Sequence, residues 1–237
     1  MCRFWTSLAA LTLAVATACG GSGSSGASPV DLTCHAEQVH RGEATYYTFA
    51  DGTGACSFDA TPDDLMIGAM NATDFAGSGA CGGCVQLQGP SAAITIRIVD
   101  LCPECPAGNI DLSADAFAKI ADLSAGRVTI SWQYAPCTVS GPVQYHFKEG
   151  SNQWWTAVQV RNHRNRIAKL EYLVNGAYRE VARTDYNFFV QPSGMGVGPY
   201  AFRVTDVYGD VLEDSGIAGA EVRTMSGASQ FPACAGM

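Results

Sequence analysis

Ile94-Thr95-Ile96-Arg97-Ile98-Val99-Asp100-Leu101-Cys102-Pro103-Glu104-Cys105 is the stretch on which the fold reading turns. Apolar and polar residues alternate from Ile94 to Ile98, the period of a half-buried strand. The strand runs into a carboxylate, Asp100, and then into a proline between two cysteines. Eleven residues beyond Asp100, Asp111 opens Asp111-Leu112-Ser113 at the entrance of a helix expected over Ser113 to Ala121. Ser113 can cap that helix, and Phe117, Ile120 and Ala121 fall on one face. Further strand-like runs lie at Ala44–Phe49, Val85–Leu87 and Val128–Gln133. Many strands with a single helix predict a closed barrel.

Beyond position 141 the pattern changes. Gln144–Phe147, Ala157–Arg161, Ala168–Leu173, Phe188–Val190 and Tyr200–Thr205 are short strand-like runs with glycine turns between them, the pattern of a β-sandwich. Charge changes at the same place: residues 34–141 carry 4 Lys/Arg and 12 Asp/Glu, whereas residues 142–237 carry 9 of each. The turn-rich Thr138-Val139-Ser140-Gly141-Pro142 marks the break. The reading is therefore a barrel over 34–138 and a sandwich over 142–237, mainly β throughout.

Composition narrows the function. Of the 237 residues 47% are hydrophobic and 15% charged, which excludes a disordered chain. A net charge of −8 excludes nucleic acid as the expected partner, because phosphate binding needs basic surface. Residues 1–19 read as an export signal: Arg3, an apolar run from Leu8 to Val15 too short to span a bilayer, then small residues. Those small residues before Cys19 resemble a bacterial lipobox with Cys19 lipidated, although Ala16 stands where Leu is usual. The alternative is cleavage after Ala16-Thr17-Ala18, which leaves Cys19 free. The Gly/Ser-rich stretch 20–33 suits a tether to the surface. The protein is expected to be secreted or held at the cell surface, touching a membrane only through that lipid.

Ten cysteines fit an oxidising compartment. Setting Cys2 and Cys19 aside leaves eight, which allow 105 disulfide connectivities. Cys81-x-x-Cys84 and Cys102-x-x-Cys105, 17 residues apart, also match the spacing of a four-cysteine zinc site, and Cys102-Pro103-Glu104-Cys105 a redox pair. Export favours disulfides over both. The four histidines are too scattered for a metal site, so neither metal nor cofactor is expected.

Two groups of residues suggest chemistry. Asp100 and Asp111, at a strand end and a helix start, could lie close enough for one carboxyl to have a raised pKa. Taken alone, the residues favour the plainer reading: Asp111 as a helix-start residue and Asp100 as a turn former. Trp154 and Trp155 are adjacent, and neighbours in a regular strand point to opposite faces, so one would be core unless the segment is a bulge or loop. Arg161, His163, Arg164, Arg166 and Lys169 form a basic cluster, read as a solvated loop face or as a surface for an acidic polymer.

Ordered motifs extend the reading. Gly42-Glu43-Ala44-Thr45-Tyr46-Tyr47, Cys81-Gly82-Gly83-Cys84-Val85, Val99-Asp100-Leu101-Cys102-Pro103, Ile110-Asp111-Leu112-Ser113 and Trp132-Gln133-Tyr134 together resemble the first domain of expansins. Phe147-Lys148-Glu149-Gly150-Ser151, Trp154-Trp155, the run Ala157 to His163 and Asp185-Tyr186-Asn187 continue the resemblance, which spans residues 38–232 in unbroken order. It implies a six-stranded double-psi β-barrel followed by an immunoglobulin-like sandwich that binds cellulose. By position it implies a polysaccharide groove at Thr45, Tyr47, Asp100 and Asp111. Trp154, Trp155 and Tyr186 would be the sugar-stacking row, flanked by Lys148. Cys102 stands where the family often has a tyrosine, so Tyr46 or Tyr47 would have to substitute.

Expansin barrels in turn resemble inverting endoglucanases of glycoside hydrolase family forty-five. Asp111 matches the acid of those enzymes, but Phe49 stands at the base position and cannot take a proton, while Asp51 would need a register shift. The resemblance therefore implies loosening of wall glucans without hydrolysis. The alternatives are lytic-transglycosylase-like or weak endoglucanase activity, and a pure carbohydrate-binding protein. Cellulose and related glucans are the expected partners, with xylan, pectin and peptidoglycan as further candidates, and a monomer the expected state. Similarity to plant expansins implies Cys56–Cys81 and Cys84–Cys137 bonds, leaving Cys102–Cys105 as a local loop and Cys34–Cys234 to join the termini.

Overall fold

The computed structural model describes residues 37–219 and 223–232. The signal segment, Cys19, the linker, Cys34 and Cys234 lie outside the described residues.

Six strands close a barrel: β1 (His40–Tyr47), β2 (Ile67–Asn71), β3 (Cys84–Gln88), β4 (Ala93–Cys102), β5 (Ile110–Ser113) and β6 (Val128–Ala135), in the order β1-β5-β2-β4-β3-β6. The β1–β5 and β2–β4 pairs are parallel and the others antiparallel. Ala44, Ile96, Ile98, Ile110, Leu112 and Trp132 fill the interior. The alternation in β4 works as its period requires: Ile96 and Ile98 are buried, and Thr95 and Arg97 lie outside. Helix α1 (Ala72–Phe75) is one turn long, capped by Asn71. Helix α2 (Ala114–Ile120) starts at Ser113, whose Oγ accepts the Ala116 N–H, a cap worth about 1 kcal/mol. It buries Ala116, Phe117 and Ile120 against the barrel.

The barrel departs from the sequence reading at β1, β4 and β5, and no strand-like run of that reading corresponds to β2 or β5. β1 stops at Tyr47, so Thr48 and Phe49 lie outside it. Asp111 is not at the helix entrance but inside strand β5, because Ile110 and Leu112 on either side of it enter the core. A break in register between Gly68 and Ala69 of β2 leaves Val99 without a partner, so β4 bulges there.

Strands β7 (Gln144–Phe147), β8 (Thr156–Arg161), β9 (Ile167–Val174), β10 (Ala177–Arg183), β11 (Phe189–Gln191), β12 (Tyr200–Asp206), β13 (Val211–Ile217) and β14 (Thr224–Ser226) follow. Their order is β13-β12-β9-β10-β11-β8-β7-β14. The ribbon folds over at β10–β11, so that β7 packs on β12. Tyr145 stacks on Phe202 with centroids 5.0 Å apart, and Phe147 meets Tyr200 at 5.7 Å. That face-to-face packing makes a sandwich with its own core, including Val158, Leu170, Val204 and Phe231.

The barrel and the sandwich meet through a polar seam. Cys56 O accepts hydrogen bonds from Gln159 Nε2 at 2.8 Å and Asn187 Nδ2 at 3.2 Å. Ser78 Oγ donates to Thr184 O, Cys137 N to Arg164 O, and the Arg166 guanidinium lies 3.5 Å above the Tyr134 ring. His163 is wholly buried against Gly82, where an added Cβ would come within 2.6 Å of its Nε2. Burial holds the His163 imidazole down at about 4, so it is neutral at physiological pH.

Candidate functional site

The barrel groove is a single cross-strand row. In the registers of β1, β5, β2 and β4, Thr45 lies beside Asp111, Asp111 beside Ala69, and Ala69 beside Asp100. The two carboxylates therefore flank one alanine, two strand spacings or about 10 Å apart at Cα. Asp111 points outward because its neighbours Ile110 and Leu112 point in. Asp100 would follow Ile96 and Ile98 inward by simple alternation. The bulge at Val99 reverses it and brings it into the row.

Each carboxylate is held. Thr45 Oγ1 donates to Asp111 Oδ1. Asp100 Oδ1 accepts from the Ala55 N–H at 2.6 Å and the Leu101 N–H at 2.8 Å. Gly54 permits this approach, since a Cβ there would fall 2.6 Å from the Asp100 side chain. Partial burial raises the Asp111 pKa, a shift opposed by the Thr45 hydrogen bond and reinforced by the Asp100 charge. Tyr47 lies in the same groove. Burial first, then Asp100, Asp111 and Asp51, push its phenol up to about 12. Its hydroxyl is buried without a hydrogen-bond partner among the described residues. Tyr46 instead turns inward onto the Phe117 ring at 5.0 Å, so of the two tyrosines only Tyr47 faces the groove. Phe49, two residues past β1, is 97% exposed. Asp51 is exposed too, and its Oδ1 accepts from both the N–H and the hydroxyl of Thr53, which lowers its pKa.

Among the described residues three disulfides brace the barrel: Cys56–Cys81, Cys84–Cys137 and Cys102–Cys105, with Cα separations of 5.4, 5.2 and 5.4 Å. They engage all four cysteines of the zinc-like spacing. No group of His, Cys, Asp or Glu among the described residues is arranged to hold a metal ion. No described helix is long and apolar enough to cross a membrane.

The aromatic residues of the sandwich sit in turns. Asn152 N donates to Trp155 O, and Asn152 Oδ1 accepts from the Trp154 and Trp155 N–H groups. This tight loop leads into β8 with the two rings on different sides: Trp154 is 72% exposed and Trp155 is half-buried. Asn187, at φ 65°, turns the chain so that Phe188 is buried while Tyr186 stays 36% exposed. Tyr186 and Lys148 both border the Phe188 ring, at 6.0 Å between ring centroids and at 5.3 Å from the Lys148 Nζ.

Asn187 and Gln159 join this surface to the groove. Both bond Cys56 O, and Cys56 follows Ala55, whose N–H holds Asp100. Asp111, Ala69, Asp100, Cys56 and Tyr186 thus follow one another through strand pairs, hydrogen bonds and chain neighbours. Ala69, Ala55, Gln159 and Asn187 carry this arrangement and were not among the sequence candidates, because none bears a reactive group. The basic cluster does not exist as a face. Arg161 pairs with Asp59, His163 is buried, Arg164 donates to Phe231 O, Arg166 stacks on Tyr134, and Lys169 pairs with Glu171.

Comparison with known proteins accords with this architecture. A family described as "Lytic transglycolase" matches residues 67–132. Expansin-YoaJ of Bacillus subtilis (strain 168) is 36% identical over 183 residues, covering 76% of this chain and 78% of its own. Expansin-like protein 1 of Dictyostelium discoideum is 28% identical, covering 76% and 68%. Among solved structures, the expansin of Clavibacter michiganensis superposes with a TM-score of 0.78 at 33% identity, covering 82% of this chain and 99% of that one. A point mutant of that protein, in complex with cellohexaose, gives a TM-score of 0.77 at 32% identity over the same shares. The fold is a double-psi β-barrel followed by a β-sandwich. The chain belongs to the expansin family.

Proposed function

We propose that this protein is exported, binds cellulose-type wall glucans, and loosens them without cutting them. The observation that carries the reading is the continuity of the Thr45–Asp111–Ala69–Asp100 row with the Tyr186 side of the sandwich through Cys56. The cellohexaose complex of the Clavibacter relative supports a glucan as ligand. A glucan chain has flat apolar ring faces and equatorial hydroxyls. Trp154, Trp155 and Tyr186 would take the ring faces, with Lys148 at their flank, while Asp100, Asp111 and Tyr47 take hydroxyls. The division at 138–142 then separates a working barrel from a binding sandwich.

Hydrolysis by inversion needs an acid and a base on opposite sides of the scissile bond. Asp111 has the raised pKa of an acid. Phe49 offers no base, and the Thr53 hydrogen bonds to Asp51 Oδ1 lower the pKa of that carboxyl and so weaken it as one. Without a bond broken, loosening would come from hydroxyls exchanging their glucan partners for the groove. The test is retention on cellulose, xylan, pectin and peptidoglycan, with reducing-sugar release measured alongside. Retention on cellulose with no soluble sugar is expected; sustained release of oligosaccharide defeats the reading. The match of residues 67–132 to the family described as "Lytic transglycolase" favours one second reading, in which Asp111 alone protonates a glycosidic oxygen and the sugar completes the reaction. Anhydro-sugar ends released from peptidoglycan would establish it.

A further inference from the structure

Away from the groove, a cavity of about 610 Å³ opens where the loop between β1 and β2, the outside of β4, the connection 137–140 and the ends of β7 and β8 come together. Its volume lies within the range of about 300–1,000 Å³ usual for small-ligand sites. Arg97 projects from β4 onto its wall, its guanidinium 5.3 Å from the Phe58 ring centroid. Among the described residues the Arg97 Nε is buried without a hydrogen-bond partner and no carboxylate forms an ion pair with the guanidinium, on which the Asp64 charge acts from farther away. The second arginine of the cavity is committed: Arg161 holds Asp59 at 2.5 Å, Gln159 Oε1 and Ser57 O. Arg97 is thus a half-buried cation facing a cavity with its Nε–H unspent. Burial of a charge that only the more distant Asp64 offsets is unfavourable, and a ligand anion in contact with it would relieve that cost.

The surroundings limit which anion fits. Asp59 and Asp64 line the same cavity and would repel a doubly charged group such as a phosphate. Next to a single carboxylate on Arg97 they become acceptors for hydroxyls, together with Gln144, Thr95 and Ser140. Phe58 supplies an apolar surface for a ring. One cation, several hydroxyl partners and an aromatic ring are the chemistry of a sugar acid. We propose that this cavity is a second saccharide site, distinct from the groove, which takes a uronate residue of an acidic polysaccharide with its carboxylate on Arg97.

Titration of the full chain with trigalacturonate and with a glucuronate-substituted xylotriose, each against its neutral counterpart at equal ionic strength, tests this. At least one acidic sugar should bind tenfold or more tightly than its methyl-esterified or unsubstituted form, and whichever binds identifies the source of the uronate. Arg97→Gln should remove that preference and Arg97→Lys keep part of it. Cellulose retention should be unchanged in both, which separates this site from the proposed glucan surface. The thermal midpoint of Arg97→Gln should fall by no more than a few degrees, because the contact with Phe58 is lost but no ion pair is. Equal binding of acidic and neutral sugars overturns the proposal, as does an undiminished preference in Arg97→Gln. A midpoint lowered by about ten degrees or more with unchanged affinity would make Arg97 a structural cation and also overturn it.

Discussion

In the barrel, Asp100 and Asp111 stand in a cross-strand row with Ala69 between them, each oxygen direction set by a backbone or threonine donor. In the sandwich, Trp154, Trp155 and Tyr186 sit in turns, fixed by Asn152 and by the left-handed Asn187. The groove is polar and laid down by strand register; the aromatic surface is apolar and laid down by loops. Misplacing a carboxylate by one residue would turn it into the barrel, whereas a stacking ring tolerates small shifts. The two regions should therefore fail differently when altered: the groove all at once, the aromatic surface by degrees.

The largest effect is expected at Asp111. Asp111→Asn keeps the shape but removes the charge that Thr45 engages. Wall extension should fall at least tenfold while cellulose retention stays within a factor of two, since the stacking surface is untouched. Creep assays and pull-downs on the same preparation check this. Extension at the parent rate would remove Asp111 from the mechanism and erase the contrast between the two regions.

Next in size is the seam that holds the regions in register. Gly82 has φ 72°, and a methyl group there would meet His163 Nε2 at 2.6 Å. Left-handed strain and overpacking each cost on the order of 1–3 kcal/mol, so Gly82→Ala should lose about 2–4 kcal/mol in thermal or denaturant unfolding. The same seam should respond to acid. The His163 pKa in the folded state is about 4, below the ordinary 6.5, so the unfolded chain takes up the proton first. The stability tied to neutral His163 is fully present above about pH 6.5 and is lost as pH falls towards 4, by at most roughly 3 kcal/mol. The backbone carbonyl of Asn165 accepts from Nδ1–H at 2.9 Å, and Arg183 and Arg97 oppose the added charge. His163→Gln should flatten this part of the midpoint-against-pH curve relative to the parent; parallel curves would show that His163 does not report on the seam.

The same contrast explains what could be read from the sequence. The alternation Ile94 to Ile98, the Ser113 cap and the apolar face of α2 are local patterns, and the structure keeps them. The groove row is not local. It needs β2, whose residues Ile67-Gly68-Ala69-Met70-Asn71 are all buried and so show no alternation. It also needs the extra residue Val99, which no spacing along the chain announces. Asp111 read as a helix-start residue because the cap Ser113 follows two positions later; strand β5 is only four residues long and runs straight into α2. The basic cluster failed for another reason. Charges adjacent in sequence suggest a shared face, yet their partners, Asp59, Tyr134 and Glu171, lie on three different elements or loops.

The smallest effect separates the two neighbouring tryptophans. Trp155 directly precedes β8 in step with Ala157, Gln159 and Arg161, the side on which Gln159 reaches the barrel. Trp154 lines a separate cavity of about 260 Å³ with Phe147, Thr156 and Tyr200, at the end of the sandwich. A half-buried ring is already immobilised by its neighbours and loses little side-chain freedom when a sugar stacks on it, whereas a ring 72% exposed must be ordered by the ligand. Stacking contributes on the order of 1 kcal/mol per ring. Trp155→Ala should thus weaken cellulose binding about fivefold, and Trp154→Ala by about half as much in free energy, a factor of two to three. Depletion isotherms on crystalline cellulose resolve that difference. If Trp154→Ala proves the more damaging, the flat polymer passes over the end of the sandwich and not along the β8 side that joins the barrel, and the continuity of groove and aromatic surface no longer describes how a glucan lies on this protein.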